Sequence, residues 1–291
     1  RARSFALIGI AFGLGFTLGP ALTAYLSRFG MSVPLYAAAA LSLTSIGCTI
    51  TLLPAERKVE AGGAEGALKP AGERLGVLSF GRYAQYFRRP VLSGLLAEFF
   101  FYLLAFSMFM SGFALFAERR YFWHGKPFTP HEIGWLFTVG GVVGVIIQGG
   151  LLGRLVARLG ERRLIGFGLL CLGTGYALLD YVDPIVPLVA VTVLSALGNA
   201  LLRPCLTSLI TQVASREEQG VVLGLTQSLA STAAIAAAPL SGWFIDHLHL
   251  AAWGWVAAGF CAIALFAGRS GSSRVRFDPS QTDYGGPTPA A

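Results

Sequence analysis

Charge is scarce in this chain: Asp, Glu, Lys and Arg make up 13% of its 291 residues, about half the ~25% usual in soluble domains. With 54% hydrophobic residues, that shortage excludes intrinsic disorder and points to lipid as the solvent. Cysteine is scarce too. Cys48, Cys171, Cys205 and Cys261 each lie inside an apolar run, without zinc or redox spacing, which excludes a disulfide scaffold and leaves them as apolar filler. His124 and His131 fall in one connecting segment and His247 and His249 in another, with no cysteine beside them, so no metal site is read. A Gly-Lys phosphate loop, a nucleophile elbow and a dinucleotide fingerprint are all missing. The residues therefore do not spell an enzyme or an ATP-driven pump, and no cofactor is expected. The net charge of +7 does not mark nucleic acid as a partner, because the basic residues sit between apolar runs rather than along one face.

What the sequence has is length of oil. A helix needs about 20 apolar residues to cross about 30 Å of hydrocarbon, with every backbone amide satisfied internally. Eight runs qualify: 5–26, 33–53, 91–117, 133–152, 164–181, 185–214, 221–247 and 251–268. Between the second and third lies a polar, glycine-containing linker over 54–90, and residues 269–291 form a Ser-, Gly- and Pro-rich tail expected to be disordered. Counting Lys and Arg by alternating side puts 17 on one face and 4 on the other, with Arg203 inside a helix. The basic side is expected to be cytoplasmic, which places both ends there.

The chain opens on Arg1 without a signal-peptide layout, and internal repetition suggests what precedes it. Residues 1–25 align without gaps on 220–244, with Gly15-Phe16-Thr17-Leu18-Gly19-Pro20 falling on Ala234-Ile235-Ala236-Ala237-Ala238-Pro239. A six-helix repeat makes eight helices into two from one unit plus a complete second unit. Four further helices are then expected ahead of Arg1, twelve in all.

The residues of the first run, Ala6, Gly15, Gly19, Pro20, Thr23 and Ala24, resemble the antiporter motif of the major facilitator superfamily, departing from its closing Gly-Gly. The stretch Gly153-Arg154-Leu155-Val156-Ala157-Arg158-Leu159-Gly160-Glu161-Arg162-Arg163 is similar to that superfamily's basic cytoplasmic loop motif, with Ala157 where the pattern has aspartate. Gln148-Gly149-Gly150 and residues 201–224 resemble drug/proton antiporters of the tetracycline-efflux type. The resemblance implies an all-α membrane protein with the major facilitator fold. Residues 1–53 would be the last two helices of an N-terminal bundle, 54–90 a cytoplasmic central loop, 91–268 a complete six-helix C-terminal bundle, and 269–291 a cytoplasmic tail. It implies a multi-pass protein of the bacterial inner (plasma) membrane, monomeric when full length, whose partners are the bilayer, protons and a small-molecule substrate. Proton-coupled efflux of drug-like or amphipathic molecules by alternating access is the expected work. Uptake of a sugar or metabolite, and a non-transporting receptor or scaffold, are the alternatives. The eight helices alone lack one wall of the cavity, so no transport is expected from them by themselves.

Deep polar residues supply the candidate site. A charge at mid-bilayer costs roughly 2.5 to 3.5 kcal/mol on insertion scales. Glu98 lies nine residues past Arg89, about 13 Å along a helix and near the midplane, and Arg203 lies thirteen before Arg216, about 20 Å from that boundary. Glu98 is expected to be a protonation site and Arg203 its charge partner or a substrate contact, since desolvation favours a protonated carboxyl and a nearby guanidinium an ionised one. The plainer readings are a static or cytoplasm-reaching carboxylate and a snorkelling arginine. Gln148, Asn199 and Gln227 would orient substrate or make ordinary interhelical hydrogen bonds. The second, fifth and eighth runs carry no interior amide or charge, and the resemblance implies that these are peripheral. Gly15, Gly19 and Pro20 suit a packing seam and pivot. Arg158, Arg162 and Arg163, in the same stretch as Gly153 and Gly160, could clasp helix ends or simply hold charge in the cytoplasm.

Overall fold

Proline and glycine set where the helices start and stop. The computed structural model describes residues 19, 22–23, 25–30, 32–52, 86–183, 185–215, 218–247 and 249–272. Among these, seven helices are long and apolar enough to cross a membrane. The first of the eight expected runs, 5–26, falls almost wholly outside the described residues, as do the tail beyond 272 and most of the central loop.

Helix α1 spans Val33–Leu52 and is exposed along nearly its whole length. Helix α2, Pro90–Arg120, takes Pro90 at its first position, where the missing amide proton is no loss. It ends at Tyr121, whose extended backbone leads into a two-stranded hairpin, β1 Phe122–Trp123 and β2 Lys126–Pro127. The turn residues His124 and Gly125 have φ of 51° and 76°, the pair of positive angles that a two-residue primed turn requires. Thr129 and Glu132 then form a capping box that opens α3, Pro130–Ile146. A π-helical turn over Ile147–Leu151 follows, and α4, Leu152–Leu159, carries the span beyond its expected end at residue 152. Gly160, at φ +78°, breaks the chain there because only glycine takes that conformation without strain. Helix α5, Glu161–Leu178, α6, Ile185–Val213, α7, Gln219–Asp246, and α8, Leu250–Ser272, complete the order.

Helix α2 is the hub. It packs along α7 and α8, while α5 packs on α6 and α8, and α3 lies against α6. The interior is aromatic: Phe109 stacks on Tyr176 at 4.9 Å and Phe116 on Trp253 at 4.8 Å between ring centroids. Trp253 Nε1 donates to Ser241 Oγ at 2.6 Å, and that hydroxyl donates to the Met108 carbonyl at 3.1 Å, so the buried polar atoms of this seam pair with one another. Helices α5 and α6 approach through glycine: a Cβ at Gly198 would lie 2.5 Å from the Gly168 carbonyl oxygen and 2.8 Å from the Leu172 nitrogen. Absent side chains let the two backbones meet, the usual solution where lipid supplies no hydrophobic drive between helices. Large apolar side chains such as Trp135, Ile146, Phe167, Ile235, Trp255 and Phe266 remain exposed on the outside, as a lipid-facing surface demands.

Candidate functional site

The bundle carries a half-open cavity of about 690 Å³, within the range of small-molecule sites. Its walls come from α2, α3 with the π turn, α5, α6 and the start of α7. The apolar side carries Phe106, Phe109, Phe113, Phe137 and Tyr176. Tyr102, Phe106, Phe109 and Phe113 recur at three- and four-residue spacing on α2, which keeps them on one helical face. The polar side is built on α6. Tyr102 donates its hydroxyl to Asn199 Oδ1 at 2.7 Å, Gln148 Nε2 donates to the Ala200 carbonyl at 3.3 Å, and Arg203 lines the cavity one turn beyond Asn199. Three of the expected substrate residues, Gln148, Asn199 and Arg203, therefore meet around one space. Gln227 does not join them, being exposed and away from the cavity wall. Helix α5, expected to be peripheral, contributes Leu172 and Tyr176, and the turn just after it Leu179, an apolar contribution that polar residues alone could not reveal.

Glu98 departs from the expectation of an Arg203 partner. Its side chain is fully buried and faces α5 and α8 rather than the cavity. Arg162 Nη1 donates to Glu98 Oε2 at 2.5 Å, while Glu98 Oε1 is buried without a hydrogen bond. The reason is azimuth. Glu98 and Tyr102 are one turn apart on α2, yet it is Tyr102 that meets α6, whereas Glu98 lies opposite the first turn of α5, close enough to its basic end for the long Arg162 side chain to climb to it. Space for the pair comes from Gly268 of α8, where a Cβ would collide with both the carboxylate and the guanidinium. Glu98 is thus a carboxylate reached from the basic end of the molecule. Arg162, one-third exposed, links it to that surface.

Of the remaining motif residues, Arg158 and Arg163 face outward, and Gly153 has open space beside it. Gly15 and Pro20 lie outside the described residues, and no neighbour lies within 4 Å of the position a Cβ would take on Gly19. The expected seam at that helix is thus left without structural detail. The same basic end holds two clusters not foreseen from the sequence. Glu161 accepts from Ser208 Oγ at 2.5 Å and from Gln212 Nε2. Arg89 makes a two-pronged pair with Glu218, at 2.9 and 2.7 Å, which with the Ser215 contacts holds the Glu218 carboxyl down at about 2 and the Arg89 guanidinium above its ordinary value. At the opposite end Arg120 pairs with Asp180 and Asp183 and Arg119 with Asp246; hydrogen bonding to Arg120 lowers the Asp183 carboxyl. Asp180, Asp183 and Asp246 at or near the ends of two runs and Arg119 and Arg120 just past the end of another were visible signals for these ties. No group of three or more His, Cys, Asp or Glu side chains among the described residues could hold a metal.

The sequence profile of the Major Facilitator Superfamily matches residues 121–282. The chain belongs to the major facilitator superfamily. Members of this superfamily are transporters rather than enzymes. The chain is 28% identical over 276 residues to Multidrug resistance protein 2 of Bacillus subtilis, covering 90% of this chain and 62% of that protein. It is 29% identical over 257 residues to the class G tetracycline resistance protein of Vibrio anguillarum, covering 88% and 62%. Its fold is similar to the crystal structure of the human organic anion transporter MFSD10 (TETRAN), with a TM-score of 0.65 and 27% identity over 92% of this chain and 63% of that one. The chain thus spans a little under two thirds of the length of these superfamily relatives, and its apolar helices make it a multi-pass membrane protein.

Proposed function

We propose that the chain forms the carboxy-terminal two thirds of a twelve-helix carrier that exports drug-like or amphipathic small molecules from a bacterial cytoplasm in exchange for protons. Its basic end faces the cytoplasm, and it works by alternating access. The observation that supports this reading best is the aromatic cavity with Gln148, Asn199 and Arg203 converging on one side: an apolar space with a few placed polar groups suits an amphipathic cargo. The efflux proteins among its relatives point the same way. Proton coupling is assigned to Glu98. Burial opposes its charge and the Arg162 contact opposes its neutralisation, so proton uptake at Glu98 would release Arg162 and loosen the joint between α2, α5 and α8. The experiment is flux in everted vesicles carrying the protein encoded by the reading frame that contains this chain. Glu98→Gln is expected to abolish efflux driven by a proton gradient while leaving exchange of labelled for unlabelled cargo. Full gradient-driven efflux by that variant would overturn the coupling role, and absence of any drug flux in the unaltered protein would overturn the carrier reading.

A further inference from the structure

The end of the molecule opposite the basic one holds a contact between the parts of the chain on either side of the central loop. Helix α1 is exposed along nearly its whole length, and the short helical turn just ahead of it, Ser27–Phe29, packs on α3. From that turn the Arg28 guanidinium reaches His131 Nε2 at 3.0 Å. Trp135, one helical turn further along α3, brings its indole Nε1 to the same atom at 3.2 Å. Guanidinium and indole are donors only. The ring nitrogen between them must therefore present a lone pair, which makes this imidazole the neutral form with its proton on Nδ1. A proton on Nε2 would turn the shared acceptor into a third donor and set a cation against Arg28.

The surrounding charges are few. Glu132, next in sequence, attracts a charged ring and Arg28 repels one, but the Glu132 carboxylate is tied to Thr129 by the capping box. Helices α2 and α6 meet α3 further along, through Phe109, Phe113, Thr192 and Ala196, none of them titratable. Of the charges at this end of α2, Arg119 and Arg120 pair with Asp246, Asp180 and Asp183, and Glu118 is exposed. Arg203, the charge of α6, lies in the cavity wall, and His124 and Lys126 of the hairpin are exposed. Arg28 is exposed and His131 half-buried, so protons from the surrounding water reach the pair.

Under the carrier reading, residues 1–53 and 91–268 belong to different bundles and this end faces outward. We infer that His131 is a second proton-binding site, which with Arg28 forms an acid-released latch between the two bundles at the outer end. The neutral ring holds the bundles together there, and a proton taken up from outside at Nε2 frees them. Imidazole side chains titrate between about pH 5 and 8, a range that external media cover. The latch is distinct from Glu98 and acts on access to the cavity rather than on coupling. It takes its meaning from the carrier reading but not its test.

The test is a spin-label distance measurement in lipid nanodiscs on the protein encoded by the reading frame that contains this chain. Labels go on Phe29→Cys in the turn and Phe122→Cys in the hairpin, both exposed positions, after replacement of the exposed Cys48 and any other accessible cysteine. Between pH 8 and pH 5 the close population is expected to fall about fivefold relative to the separated one, the size of an exposed charge contact. His131→Gln keeps an acceptor near the Nε2 position and cannot take the proton, so its labels should stay close at both pH values. Arg28→Glu should invert the response, closer at pH 5 than at pH 8, because the charged ring then meets a carboxylate. No change in the unaltered protein, an undiminished response in His131→Gln, or an Arg28→Glu response of the original sign would overturn the latch. Acid release without drug flux in the unaltered protein would leave the latch standing and remove the carrier reading; drug flux without acid release would do the reverse.

Discussion

Arg162→Met tests whether the Glu98 pair carries the joint between α2, α5 and α8. Methionine keeps most of the length and apolar stem of arginine but removes every donor. Glu98, with no exposure of its own and one oxygen already unpaired, would be left as a carboxylate in a dry site. Removing one partner of a buried ion pair costs about 3 to 5 kcal/mol, and because the Arg162 side chain is 33% exposed the low end, about 3 kcal/mol, applies. The reciprocal change is milder. Glu98→Gln takes the charge from the buried side, leaves a guanidinium that reaches the surface and keeps an amide oxygen that can still accept from it, so the loss is about 1 kcal/mol, that of one ordinary net hydrogen bond. At about 2 to 4 °C per kcal/mol for chains of this size class, the two variants should melt roughly 6 to 12 °C and 2 to 4 °C below the unaltered protein. The assay is thermal unfolding in detergent micelles followed by tryptophan fluorescence, with the double variant expected close to Glu98→Gln. If Glu98→Gln melts as low as Arg162→Met, or lower, the asymmetry drawn from burial is wrong.

The close approach of α5 and α6 makes a second prediction: Gly198→Val must move the Gly168 carbonyl or the Leu172 backbone and should cost about 3 kcal/mol or more, seen as a lower melting temperature or loss of folded yield, whereas the same change at exposed Gly149, with nothing within 4 Å of a Cβ, should be far milder. A third concerns acid. Glu218 is held at about 2 against an ordinary 4.5, so its pair with Arg89 adds stability that is complete above about pH 4.5 and disappears as pH falls toward about 2. Being near the surface, the pair is worth no more than about 1 kcal/mol. Glu218→Gln should remove that part of the acid sensitivity, read as a smaller shift in melting temperature between pH 5 and pH 3.

The helices were legible because oil-length runs leave few alternatives, and six of the described spans begin and end within a few residues of the hydropathy boundaries. The exception is the span that continues to Leu159: Arg154 and Arg158 look like a loop in a hydropathy count, but α4 can be helical because its charges face out while Leu155 and Val156 are half-buried. The hairpin at His124-Gly125 is too short for periodicity to register. Depth was also legible at the site, since Asn199 and Arg203 stand out as polar residues far from any boundary and Gln148 as an amide inside an apolar run. Azimuth was not. Counting residues from Arg89 gives how far along its helix Glu98 sits and nothing about which neighbour it faces, and its partner, 64 residues away, reads in the sequence as one more basic loop residue. Tyr102 escaped notice because a tyrosine among phenylalanines carries no signal until its hydroxyl is seen to meet Asn199.

The π turn at Ile147–Leu151 accommodates a surplus residue in an otherwise α-helical rod. Each residue advances such a rod by about 100°, so everything beyond the surplus is clocked differently from everything before it: Gln148 lines the cavity while Arg154 and Arg158 point outward, in one continuous span. Excising Gly149 should snap the rod back to a single phase and swing the arginine-bearing end around by roughly a quarter turn. A one-residue deletion there is therefore a rotational lesion, felt most at the end of the helix that lies away from the cavity.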